Sequence, residues 1–174
     1  MEDHLIFASQ TPYPPVRVQE PNPRYAAAML ANIGSCNSEM SAVSLYFYNS
    51  VILKERCPDM AEQFQKIGLV EMHHLDIFSS LAYLLGADPR LWSQTGRCMK
   101  YWSPGCNQYP KGLLPLVQNA LQGERAAIAE YRKQAGWIQD PCIVENLNRV
   151  ILDEERHVAI FQQMEEQLCL IQPS

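Results

Sequence analysis

Residues 70–77 read VEMHHLDI, and residues 152–161 read LDEERHVAIF. Each holds a glutamate followed three positions later by a histidine, Glu71 with His74 and Glu154 with His157. Residues three apart on an α-helix project from one face, so each pair can bring a carboxylate oxygen and a ring nitrogen to the same point. One such pair alone reads as an ordinary charged turn, whereas a doubled pair asks for partners.

Those partners lie upstream of each pair. SEMSAVSLYF, residues 38–47, carries Glu39 and, seven positions later, Tyr46; GERAAIAEYR, residues 123–132, carries Glu124 and, seven positions later, Tyr131. Glu39 precedes Glu71 by 32 residues and Glu124 precedes Glu154 by 30, so the chain reads as an approximate internal duplication of Glu, Tyr, Glu-x-x-His.

The surrounding pattern is helical. Ala28, Met29, Ile33, Cys36, Met40, Val43, Tyr46, Phe47 and Ile52 recur at three-to-four spacing and predict a helix from Arg24 to about Arg56, with Gly34 its weak point. CPDMAE at 57–62 predicts a second start, with Asp59 as cap and Glu62 closing a capping box, and Gly86 and Pro89 end that helix. A third helix is predicted from Gly112 to Gln134. Asp140 followed by Pro141, a cap and a first-turn proline, predicts a fourth reaching about Leu170. Residues 87–110 show no period and read as a long connection. Before the helices, TPYPPVRVQEPNP at 11–23 removes backbone donors and disfavours helix, so residues 1–23 are expected to form an extended arm ahead of a bundle domain at 24–170.

Helices of about 25 to 30 residues run on the order of 40 Å. Short joints near residues 58 and 138 make two antiparallel hairpins, and roughly 24 extended residues reach about 75 Å, enough to climb the bundle between them. The expected fold is all-α, an antiparallel four-helix bundle with one long crossover between its second and third helices.

In that fold Glu39, Glu71, His74, Glu124, Glu154 and His157 converge near mid-bundle. Four carboxylates and two imidazoles in an apolar interior repel one another and lose their water unless cations join them, so these six are the expected ligands of two divalent metals. Asp153 is expected to orient an imidazole across the bundle; its counterpart in the other repeat is Val70, so that support is asymmetric. Tyr46 and Tyr131 fall on the ligand face, as core tyrosines or as hydrogen-bonding or redox groups beside the centre. His73 points about 100° from His74 and is expected at the surface, as are Glu130, Glu155, Glu165 and Glu166. Cys36, one turn before Glu39, reads as a buried thiol.

Composition narrows the partners. The 174 residues are 47% hydrophobic with a formal net charge of −5 and no long charged run, which points away from nucleic acid and anionic membrane surfaces. MEDHLIFASQ lacks a secretory start, no segment approaches the roughly 18 apolar residues of a membrane span, and a soluble, cytoplasmic protein is expected. Six cysteines form no Cys-x-x-Cys pair, which argues against a zinc ribbon or rubredoxin-type centre; free thiols are expected, a Cys98–Cys106 disulfide being disfavoured in a reducing cytosol.

At these residues the chain resembles the ferritin-like superfamily, nearest the rubrerythrin and bacterioferritin group, over about residues 24–170. The resemblance implies a di-iron or di-manganese centre on the six ligands above, with Glu71 and Glu154 bridging. It implies a dinuclear oxidoreductase that reduces hydrogen peroxide or dioxygen; a homo-oligomer, a dimer, is expected. Rubrerythrins proper carry a further glutamate one turn after the third-helix ligand, where this chain has Ala127, and no rubredoxin-like cysteine set follows; an external electron donor protein is therefore expected if the chain is a peroxidase. EMHH is similar to the bacterioferritin turn in which a methionine after the glutamate ligates haem, but Met72 is read as packing and haem is not expected. YPPVRVQEPNPRYA, residues 13–26, is similar to the entry segment of manganese catalases and related spore-coat proteins. Manganese-catalase-like disproportionation of peroxide, and iron storage or a spore-coat role with structural metal, are the two alternatives.

Overall fold

The computed structural model describes residues 6–96 and 98–171, so the first five residues of the expected arm lie outside the described residues. Its helices are α1 (Pro23–Gly34), α2 (Glu39–Leu53), α3 (Pro58–Leu84), α4 (Leu113–Trp137) and α5 (Pro141–Ile171), with two short strands, β1 (Trp92–Thr95) and β2 (Cys98–Tyr101), in the crossover. The architecture is an all-α four-helix bundle: α2 packs along α3 and α4 along α5, while α1 extends α2 beyond a break and packs on α3. No helix among the described residues is long and apolar enough to cross a membrane.

The break corrects the expected continuous first helix. α1 ends at Gly34, where the crossover passes so close that only glycine fits: a Cβ there would stand 2.3 Å from the Trp92 backbone nitrogen and 2.5 Å from its carbonyl oxygen. Ser35 and Ser38 are extended, and the intervening Ser-Cys-Asn-Ser run favours turns over helix. α2 consequently starts at Glu39.

Helix starts follow local chemistry with one exception. Asp140 caps α5, its Oδ1 accepting from the Cys142 N–H at 2.9 Å. The expected Asp59–Glu62 capping box does not form, because Pro58 occupies the first helical turn and shifts the cap to Cys57. Glu62 instead pairs with Lys66 one turn on, at 2.7 Å. The crossover, expected to be irregular, contains the antiparallel β1–β2 pairing Trp92↔Tyr101 through Thr95↔Cys98, and a single 3-10 turn at Pro104–Cys106. Trp92 packs on Tyr101 across that pairing, 5.4 Å between ring centroids.

Two apolar clusters form the core. One gathers Met29, Ile33, Phe78, Leu81, Ile143 and Leu147; the other gathers Phe64, Ile67, Val117, Leu121, Phe161 and Met164 and includes the Tyr46–Phe64–Phe161 aromatic triangle. Glu71, His74, Glu154 and His157 fall along α3 and α5 between the residues of these clusters. Residues 6–22 carry no helix or strand and lie against α5. Arg149 holds them, donating from Nε to the Thr11 carbonyl at 2.6 Å and from Nη2 to the Ser9 carbonyl at 2.9 Å.

Candidate metal centre

Between the two apolar clusters sits a polar layer. Glu39 from α2, Glu71 and His74 from α3, Glu124 from α4, and Glu154 and His157 from α5 are all buried there. They form two overlapping groups, Glu39–Glu71–His74–Glu154 and Glu71–Glu124–Glu154–His157, in each of which one donor atom per residue lies within 4.8 Å of all the others. Glu71 and Glu154 belong to both groups. The three-residue spacing on α3 and α5 brings each glutamate beside its histidine, with Nδ1 to Oε2 distances of 3.0 and 3.1 Å.

Both imidazoles present Nδ1 to the carboxylates and turn Nε2 outward. His157 Nε2 lies 3.0 Å from the Phe7 carbonyl oxygen. A carbonyl can only accept, so Nε2 carries the proton and Nδ1 of the neutral ring keeps its lone pair for the centre. His74 Nε2 lies 3.0 Å from Asp153 Oδ2. Although burial opposes ionisation of Asp153, its bonds with His74 and Tyr13 and the adjacent Arg149 charge hold the carboxyl well below the ordinary carboxylate range, so it too accepts and fixes His74 in the same tautomer. Asp153 also accepts from the Ser9 N–H at 2.6 Å and from the Tyr13 hydroxyl. Arg149 Nη1 stands 2.7 Å from Oδ1 as a charge contact without hydrogen-bond alignment.

The tyrosines couple the two repeats. Tyr46 on α2 donates to Glu124 on α4 at 2.5 Å, and Tyr131 on α4 donates to Glu39 on α2. Burial, together with Glu124 and Glu71 for Tyr46 and with Glu39 and Glu154 for Tyr131, pushes both phenols well up, so each stays protonated and remains a donor.

The electrostatics are those of a site short of positive charge. Burial, reinforced by Glu154, pushes Glu39 well up; burial, reinforced by Glu71, does the same for Glu124. Burial opposes the charged form of His157, yet Glu71 and Glu154 overcome it and push the ring up to about 10; His74 rises for the same reason beside Glu154 and Asp153. Protons thus occupy the positions where cations would relieve the repulsion. Two oxygens remain unserved even so. Glu71 Oε1 and Glu154 Oε1 are buried and accept no aligned hydrogen bond, although Nδ1 of His157 and of His74 stand 2.8 and 3.3 Å away. Orphaned oxygens on the two glutamates common to both groups, facing Nδ1 atoms that become lone-pair donors once a cation displaces their proton, fit a pair of oxygen- and nitrogen-seeking metal ions.

A cavity of about 280 Å³ opens beside this layer between α2, α4 and the crossover, with Glu39, Glu124, Glu154, Tyr46 and Tyr131 in its wall. Ala127 also lines it.

All six sequence-derived ligand candidates are brought together, with Tyr46, Tyr131 and Asp153 in contact with them. Two sequence expectations are corrected, those for Cys36 and Met72, while Cys98 and His73 stand as expected. Cys36 is exposed and joined to Cys106 in a disulfide, so it is neither buried nor a free thiol; the break after Gly34 turns it out of the helix face. Cys98, the partner considered for Cys106, is free. Met72 is 55% exposed beside Phe47, Val51 and Leu69 on the outer face of α2 and α3, so it does not pack in the core. His73 is exposed and meets Tyr13 edge-on at 4.5 Å. Sequence reading missed the arm's part altogether. Arg149 could have been found from its four-residue spacing to Asp153, whereas the Phe7 carbonyl, a backbone group, leaves no trace in sequence.

A bundle that buries two Glu-x-x-His pairs and two further glutamates as one cluster defines the ferritin-like di-metal carboxylate class. Residues 34–165 match the rubrerythrin family, and the chain belongs to that family. It is 26% identical to a probable manganese catalase of Clostridium acetobutylicum, over 85% of this chain and 73% of that protein. Among solved structures it superposes on KatB, a manganese catalase from Anabaena PCC7120, with a TM-score of 0.81 and 20% identity over 97% of this chain and 84% of that one. The Rhodobacter capsulatus bacterioferritin superposes with a TM-score of 0.75 and 19% identity, over 89% and 91% of the two chains.

Proposed function

We propose that Glu39, Glu71, His74, Glu124, Glu154 and His157 hold two manganese ions and that the chain disproportionates hydrogen peroxide to water and dioxygen. The observation that carries this reading is the sharing of Glu71 and Glu154 by both four-residue groups, which suits two metals bridged by carboxylates. When bound, the metal pair supplies two-electron redox chemistry. The residues supply the rest. Phe7 and Asp153 keep both Nδ1 atoms as ligands. Tyr131 and Tyr46 hold Glu39 and Glu124 from across the bundle, so the outer carboxylates keep their direction when charge at the centre changes. The cavity at Ala127 admits a molecule of peroxide size to the side where Glu39, Glu124 and Glu154 meet.

Manganese and disproportionation are supported by the names of the Clostridium relative and of KatB. A second reading, reduction of peroxide or dioxygen at two irons with an external donor protein, is favoured by the family match, and the same donor set accepts iron. Metal analysis of anaerobically purified protein, followed by oxygen-electrode and peroxide-consumption assays with and without reductant, separates them. Dioxygen release without reductant is expected. Consumption only with reductant establishes the iron reading, and metal uptake with no peroxide consumption in either case overturns both in favour of storage.

A further inference from the structure

The Cys36–Cys106 disulfide joins two segments 70 residues apart in sequence, and its place in the fold is specific. Cys36 lies in the break between α1 and α2, three residues before Glu39. Cys106 ends the 3-10 turn of the crossover. Cys36, Asn37, Cys106 and Asn107 all line the cavity whose deeper wall holds Glu39, Glu124 and Glu154. The bond therefore closes one side of the mouth of the cavity beside the carboxylate cluster.

The two ends are held differently. The Cys36 side is braced: the Ser41 hydroxyl donates to the Cys36 carbonyl at 2.9 Å and itself accepts from Trp102 Nε1 at 3.0 Å. The Cys106 side is lightly held. Residues 104–108 carry one turn of 3-10 helix, and among the described residues their hydrogen bonding to the bundle is a long 3.5 Å contact from Asn119 Nδ2 to the Gln108 carbonyl. Trp102 on Ser41 and Tyr109 against Tyr48 anchor the crossover on either side, and between them the covalent link ties residues 104–108 to the mouth. Cys36 is exposed and Cys106 half-buried, so the bond is open to attack from solvent.

We propose that Cys36–Cys106 is a site of reversible thiol–disulfide exchange with external dithiols, and that its opening frees residues 104–108 from the rim of the cavity. A thiolate of the dithiol attacks the sulfur of Cys36, an exposed residue, the S–S bond breaks, and Cys106 leaves as a thiolate that takes up a proton. The second thiol of the reductant loses its proton, displaces Cys36 from the mixed disulfide and closes the reductant's own disulfide, so two electrons and two protons pass to the protein. The exchange stands on the geometry of the rim alone. Its consequence for metal entry rests on the proposed metal centre.

The test compares air-oxidised protein, the same protein after dithiothreitol, and the Cys106→Ser and Cys98→Ser variants, the last as a control outside the pair. Alkylation in denaturant followed by mass spectrometry is expected to label four cysteines before reduction and six after, matching the four free cysteines and one disulfide. Amide hydrogen exchange at Cys106 and Asn107 is expected to quicken several-fold on reduction and in Cys106→Ser, with α3 and α5 unchanged and Cys98→Ser behaving as wild type. Cobalt(II) uptake, followed by its visible absorption, is expected to quicken in the same forms. Six labelled cysteines before reduction, or complete reduction with no change in exchange at 104–108, overturns the proposal. Faster exchange with no cobalt uptake in any form sustains the exchange site and overturns the metal centre.

Discussion

Replacing Asp153 by asparagine tests the claim that the outer neighbours of the histidines prepare the centre for metal. The carboxylate is buried and acceptor-only: Oδ2 faces His74 Nε2 and the Tyr13 hydroxyl, and Oδ1 faces the Ser9 N–H and Arg149. An amide of the same shape cannot accept on both sides. With its oxygen kept toward Arg149 and Ser9, its NH₂ points at His74, and the ring relieves the clash by moving its proton to Nδ1. Nδ1–H then points at Glu71 and Glu154, where the lone pair was needed. Mutations of such supporting groups typically cost about 10- to 100-fold in metal affinity, or about 1.4–2.8 kcal/mol. The folded protein also weakens, but by less than the ~3–5 kcal/mol of a fully broken buried ion pair, because Arg149 keeps its bonds to the Thr11 and Ser9 carbonyls. Anaerobic titration calorimetry with manganese(II), beside thermal melts of the metal-free proteins, measures both. Asp140→Asn is the control, since Asp140 is equally buried and also binds the arm, through the Gln19 N–H at 2.7 Å, yet lies outside the cluster. An Asp153→Asn protein that folds and binds manganese within threefold of wild type refutes the reasoning.

Other perturbations separate the centre from the scaffold. Glu39→Gln removes a carboxyl that burial and Glu154 push well up in metal-free protein, so the metal-free melting temperature should move little while the rise on loading shrinks; wild type at 100 times its dissociation constant gains about 2.7 kcal/mol per site. Tyr131→Phe keeps the packing on Phe78 and deletes only the donor to Glu39, so calorimetry should show weaker metal binding with stability lowered by about 0.5–1.5 kcal/mol. Gly34→Ala places a methyl against the Trp92 backbone and should cost about 1–3 kcal/mol in chemical denaturation without changing metal stoichiometry. Phe161→Ala empties the aromatic triangle with Tyr46 and Phe64 and should cost about 3–5 kcal/mol in the same assay.

What the sequence determined by itself was local and periodic. Apolar spacing marked the helices, Asp140 before Pro141 marked a start, and the repeated Glu-x-x-His pairs named four of the six clustered residues because three positions on a helix are one face wherever that helix ends up. The duplication then supplied Glu39 and Glu124. Everything that depends on segments distant in the chain was left to the tertiary structure. Phe7 reaches His157 through a carbonyl that every residue possesses, so no side chain announced it. Tyr46 and Tyr131 exchange partners between repeats, which spacing within one helix could not distinguish from contact with their own glutamates. Cys36 pairs with Cys106 from 70 residues away, and Gly34 lets the crossover pass against α1 at Trp92, approaches visible only when both segments are in place. A helix carries its geometry in its own hydrogen bonds, whereas tautomer, disulfide partner and cavity mouth are set by what the rest of the chain brings alongside.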